Sequence, residues 1–165
     1  MAVVENLIMP AALGVGATMF LDLWGVAQSR VLGIPSLDYR LVGRWLVLLP
    51  KGRILHAPIT TTPSVPGEAF IGWAAHYIIG LIFGIAFIGL MGVDWISAPS
   101  LFPAIWFGMF TVIAPYFVLQ PCLGAGIAAS RAPAPNRARL LSFTAHTIFG
   151  LGLYLTALII RSVSG

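Results

Sequence analysis

Four long apolar windows dominate the chain: Leu7 to Gln28, Phe70 to Gly92, Leu101 to Leu119 and Leu140 to Ile160. A helix needs about 20 mostly apolar residues to cross a bilayer. The pattern therefore predicts an all-α membrane protein with four transmembrane helices, over about 7–28, 70–92, 101–119 and 140–160. They are joined by connections 29–69 and 120–139, in a single transmembrane domain of residues 1–165. The first window carries Asp22 and has no basic residue ahead of it, so it is expected to be retained and not cleaved as a secretion signal.

The first connection is too apolar for a plain loop. Leu41, Trp45 and Leu48 fall at i, i+4 and i+7, while Arg40 and Arg44 share another face. Pro35-Ser36 offers a start with Ser36 as N-cap. This predicts a short amphipathic helix lying on the membrane surface, the alternative being a helix packed beneath the spans as a cap. On the surface reading Arg40, Arg44 and Trp45 meet lipid head groups, where a basic residue gains about 1 kcal/mol. From Ala57 to Pro66, three prolines and three consecutive threonines predict an irregular linker in which His56, just ahead of it, is solvated. Glu68 follows at the start of the second span, where the positive end of the helix dipole favours a carboxylate.

Composition agrees with a membrane solvent: 59% of residues are hydrophobic, 8% are charged and the mean hydropathy is +0.96, against about a quarter charged in soluble domains. The net charge of +4 does not indicate nucleic-acid binding, because the basic residues are confined to two stretches. Arg30, Arg40, Arg44, Lys51 and Arg53 lie in the first connection, and Arg131, Arg137 and Arg139 in the third. Only Arg161 lies on the other side, with Glu5 and Asp94. The positive-inside rule then places both long connections in the cytoplasm and both termini in the periplasm. A single cysteine, Cys122, excludes an intrachain disulfide.

Two segments echo each other. Ala75-His76-Tyr77-Ile78-Ile79-Gly80-Leu81 matches Ala145-His146-Thr147-Ile148-Phe149-Gly150-Leu151 at five of seven positions. A weaker echo sets Pro10-Ala11 and Thr18 against Pro103-Ala104 and Thr111. Parallel halves of this kind are related by an axis along the membrane normal.

The chemistry-bearing residues are few. Asp22, His76, His146, Gln120 and Glu68 all fall toward the side bearing the basic connections, and a common polar layer is expected there. Small residues every four positions accompany three of them: Gly14 and Thr18 before Asp22, Gly72 and Gly80 around His76, Ser142 and Gly150 around His146. Such spacing marks close helix packing, so these groups are expected to face protein instead of lipid. The bland interpretation is interhelical hydrogen bonding worth about 0.6–2 kcal/mol each. The functional one is proton or solute handling, the default for an ionisable residue inside a membrane. No P-loop, H-E-x-x-H or G-x-S-x-G motif occurs, so no enzyme activity and no metal site is expected. Haem held between His76 and His146, with the following glycines making room for the ring, is an alternative, as is quinone binding.

Longer motifs point to a family. Leu21-Asp22-Leu23-Trp24, Gly33-Ile34-Pro35-Ser36-Leu37-Asp38-Tyr39, Leu41-Val42-Gly43-Arg44-Trp45, Pro66-Gly67-Glu68, Gly72 to Tyr77, Gln120-Pro121, Gly124 to Ser130, and His146 with Phe149 to Tyr154 resemble the bacterial family called domain of unknown function 2938. The resemblance implies a small inner-membrane protein with no established activity. Cys122 stands where the family does not require a thiol. The expected function is therefore binding or conducting a small solute or proton, in a homo-oligomer or a larger membrane complex. The alternatives are a redox subunit and a non-catalytic accessory subunit.

Overall fold

The computed structural model describes the backbone of residues 2–164 and the side chains of residues 8–163, so Glu5 lies outside the described side chains. Five helices form: α1 (Ala2–Leu32), α2 (Tyr39–Leu48), α3 (Glu68–Met91), α4 (Leu101–Cys122) and α5 (Pro135–Ser164). No strand occurs among the described residues. All but α2 contain a segment long and apolar enough to cross a membrane.

The helices overrun the apolar windows because hydropathy marks what lipid tolerates, whereas backbone bonding stops only at a breaker. The first helix continues through polar Ser29 and Arg30 until Gly33, whose φ of +64° the helix cannot hold. At the other end of the chain, α5 starts at Pro135, five residues before its apolar stretch, since proline suits the first helical turn. Gly92, at φ +81°, ends α3 in a backbone conformation open to glycine but rarely adopted by L side chains. Inside α4, Pro115 opens a five-residue π turn, and the Gln120 N–H closes it on the Pro115 carbonyl. Pro115 removes a donor and crowds the preceding turn, and the wider turn absorbs both.

The chain divides into two compact units by internal contacts. The first unit comprises Met1–Ser36, Tyr77–Thr111 and Ala145–Gly165. Its core gathers Leu13, Ala17, Phe87, Ile88, Trp95, Ile96, Ala104, Phe149, Leu153 and Ala157. Glycines let helices approach until backbones touch: a Cβ on Gly80 would strike Thr18 Oγ1 on α1, and one on Gly84 would lie 2.6 Å from the Gly14 backbone. Between α4 and α5, a Cβ on Gly108 would lie 2.6 Å from Gly150, and one on Gly150 would lie 2.5 Å from the Ala104 carbonyl.

The second unit comprises Leu37–His76 and Val112–Thr144. Here α2 lies directly on the first turns of α3, Gly43 against the Glu68 carbonyl and Gly72 against the Tyr39 carbonyl. Of the two placements expected for α2, packing as a cap on a neighbouring helix describes this side of it. Its N-cap is Asp38, not Ser36: the Asp38 carboxylate accepts the Arg40 N–H at 3.0 Å. The linker after α2 is anchored to the end of α4, with the His56 N–H on the Cys122 carbonyl (3.0 Å) and the Ile59 N–H on the Leu123 carbonyl (2.9 Å). Beyond α4, consecutive Ala128 and Ala129 hold positive φ of 46° and 56°. The Arg139 guanidinium clasps the Ala128 carbonyl at 2.7 Å.

Candidate functional site

In the first unit, Gly14, Thr18 and Asp22 form one face of α1, and the glycine seam turns that face toward α3. Thr18 meets Gly80. One turn along, the Tyr77 hydroxyl donates to Asp22 Oδ2 at 2.8 Å, both residues being half-buried. Asp22 precedes the end of α1 at Leu32 by ten residues, about 15 Å of axis at ~1.5 Å per residue. A phenol donating to a carboxylate makes a charge-assisted bond.

The same unit holds His146. Thr111 Oγ1 lies 2.6 Å from the Gly108 carbonyl and 2.7 Å from His146 Nδ1. A hydroxyl has one hydrogen, so which of Thr111 and His146 donates across this contact follows the imidazole tautomer. The contact fixes the ring's orientation, with Nδ1 turned to Thr111 across the seam between α4 and α5.

His76 belongs to the second unit, in an aromatic cluster. Its ring stacks on Tyr39 with centroids 4.1 Å apart and planes at 25°, and Trp73 meets it edge-on at 5.8 Å. Tyr39 and Trp73 are themselves 4.7 Å apart. Gln120 donates to Ser142 Oγ at 3.0 Å, the π turn having set its phase toward α5.

Arg44 turns to protein. Its Nε and Nη2 grip both Glu68 oxygens at 2.8 and 2.9 Å, and Nη1 reaches the carbonyls of Thr62 (2.7 Å) and Ile59 (3.3 Å). Both side chains of the pair are only 11% exposed. Glu68 also accepts the Val65 N–H at 2.9 Å. The pair therefore ties α2, the linker and the start of α3 together, and Glu68 is part of this clamp more than of a polar layer. The Glu68 carboxylate holds the Arg44 guanidinium above the usual arginine range. Trp45 likewise turns to protein, its indole N–H on the Ile54 carbonyl at 3.0 Å. Arg40 remains at the surface, paired with Asp38 at 2.8 Å, and its guanidinium keeps the Asp38 carboxyl below the usual carboxylate range. His56 is half-buried, with its ring between the Arg53 carbonyl and Thr62 Oγ1 instead of in solvent.

The structure thus joins Arg44 to Glu68, and gives Asp22, His146, His76 and Gln120 the partners Tyr77, Thr111, Tyr39 and Ser142. Sequence reasoning passed over Tyr77, Tyr39 and the pairing role of Thr111. The glycines expected to make room for haem are filled by protein: Gly80 by Gly14 and Thr18, Gly150 by Ala104. Among the described residues no three His, Cys, Asp or Glu side chains are grouped to hold a metal ion.

No curated protein and no solved structure matches the chain. A family model does, the protein of unknown function DUF2938, over residues 11–160. That match takes in every span and both connections, and the chain belongs to this family.

Proposed function

We propose that this protein is a non-enzymatic, multi-pass protein of the bacterial inner membrane that binds and passes a proton or small cationic solute. The observation that carries the reading is the Tyr77–Asp22 hydrogen bond between two segments apolar enough to span. A charged side chain at the centre of a span costs about 2.5–3.5 kcal/mol on insertion scales, so one kept within a span calls for a use. An ionisable side chain inside a spanning segment marks a functional site by default, and the defined Tyr77 bond that orients this one supports a functional role over a purely architectural one. His146, oriented through Nδ1 by Thr111, supports the reading as a second titratable group in the same unit. The charge asymmetry of the connections supports cytoplasmic placement of both long connections and periplasmic termini. A chain of this size completes a pathway as a homo-oligomer or within a larger complex.

The test is proton entry into proteoliposomes carrying a pH-sensitive dye under an imposed potential. Wild-type protein is expected to exceed empty vesicles, Asp22→Asn to fall to their level, and Tyr77→Phe to lie between. Equal traces for wild type, Asp22→Asn and empty vesicles overturn the proposal for protons, and the same comparison with a monovalent cation gradient completes it for cations.

A further inference from the structure

The basic residues of the first connection have separate fates. Asp38 neutralises Arg40 and Glu68 neutralises Arg44. Lys51 and Arg53 are exposed, and among the described residues neither side chain forms a hydrogen bond or ion pair. Beside them stand two exposed apolar side chains, Ile54 at 53% and Leu55 at 72%.

This segment is fixed, not trailing. The Gly52 N–H bonds the Leu49 carbonyl (3.0 Å) and the Arg53 N–H the Leu48 carbonyl (3.3 Å), folding the chain back at left-handed Gly52. The Trp45 indole holds the Ile54 carbonyl. Immediately afterwards, His56 and Ile59 bond the main chain at Cys122 and Leu123, where the spanning-length α4 ends. Those bonds set Lys51 to Leu55 close to the end of a helix long and apolar enough to span.

We propose that Lys51, Arg53, Ile54 and Leu55 form a docking surface for anionic phospholipid, the two aliphatic chains entering the acyl boundary and the two cations meeting head-group phosphates. The chain supplies no counter-charge for these cations and no cover for these aliphatics, and an anionic leaflet supplies both. Lipid recognition is thereby moved from Arg44 and Trp45, which are occupied by protein, to the turn that follows them.

The experiment uses the full chain in detergent micelles doped with equal phosphatidylglycerol and phosphatidylcholine, with retained lipid read by native mass spectrometry. Wild type is expected to keep phosphatidylglycerol in preference. Lys51→Gln combined with Arg53→Gln should lose roughly 30-fold of that preference, from about a tenfold-equivalent per two-thirds of the summed two-charge attraction. Arg40→Gln should keep it, because that charge is already paired. Leu55→Ser should weaken retention of both lipids. Circular dichroism checks that these surface variants stay folded. Equal retention of the two lipids by wild type overturns the proposal, as does an undiminished preference in the double variant. Loss of the preference on adding inorganic phosphate also overturns it, assigning a soluble-anion site instead.

Discussion

The two compact units are held by contrasting means. In the first, α1 meets α3 and α4 meets α5 through glycines, backbone against backbone, with aromatic rings such as Phe87 and Trp95 filling the space beyond. Polar contacts such as Tyr77–Asp22 and Thr111–His146 are added across these seams. In the second unit the Arg44–Glu68 clamp and main-chain bonds from the linker to the end of α4 fix segments with little regular structure. Inside lipid, helices satisfy their own backbones, so small residues suffice to bring them together. Connections lack that self-sufficiency and need directed bonds.

The sharpest way to break this contrast is to open the clamp. Arg44→Met leaves Glu68 without its fork, and Glu68→Gln strands the guanidinium. Removing one partner of a largely buried pair is far costlier than replacing both. Each single variant should therefore cause the largest stability loss of any change considered, with Arg44→Met/Glu68→Met recovering part of it. Limited proteolysis should locate the damage in residues 54–67, with the spans still protected. Cleavage rates equal to wild type would show that the main-chain bonds hold this unit alone.

Next in size are the seams. Gly80→Ala and Gly150→Ala each drive a methyl into backbone or a buried hydroxyl, and overpacking of this kind costs typically about 1–3 kcal/mol. Gly89→Ala, with nothing within 4 Å of the added carbon, should be neutral or gain up to about 1 kcal/mol. Thermal denaturation in detergent measures all three. Similar penalties at positions 80 and 150 would establish that the sequence echo is an echo of packing.

How far this was legible follows from what kind of signal each feature leaves. The spans, the short α2 and the family likeness were readable, since apolar length and helical period survive without tertiary knowledge. Asp22, His76 and His146 stood out by residue type. Their partners did not, because the echo drew the eye to what the halves share. Tyr77 and Thr147 occupy the same echo position, and the departure marks the residue that reaches Asp22. The Arg44–Glu68 pair spans 24 residues across a linker of three prolines, so no local period encodes it. Gly43 beside Arg44 and Gly72 one turn after Glu68 were the available clue that the two helices touch. Asp38 was passed over as the cap in favour of Ser36 because Pro35 marked an earlier start.

A smaller effect sharpens the comparison between the helix pairs of the first unit. Thr18 Oγ1 bonds only its own helix, at the Gly14 carbonyl, 2.8 Å, whereas Thr111 bonds the Gly108 carbonyl and also meets His146 across the seam. Thr111→Val should therefore cost more than Thr18→Val, and a double-mutant cycle of Thr111→Val with His146→Phe should return a coupling of about 0.6–1.7 kcal/mol. The Nδ1 resonance of His146 should move in Thr111→Val and stay put in Thr18→Val. A coupling near zero would reduce the Thr111 contact to coincidence of packing.

The smallest effect tests whether directed bonds matter even at the exposed edge of the second unit. Asp38 caps α2 and pairs with Arg40 in water, so Asp38→Ala should cost about 1 kcal/mol or less, while Asp38→Asn keeps the cap and loses only the charge. Because Arg40 lowers the carboxyl below its unfolded value, the charge-dependent part of this stabilisation is present above about pH 4 and fades as acid protonates the folded group. Wild type and Asp38→Asn should converge in stability on acidification through that range, and separate again at neutral pH. If they stay separated in acid, the capping geometry and not the ion pair accounts for the difference, and the second unit depends on directed hydrogen bonds more than on charge at its rim.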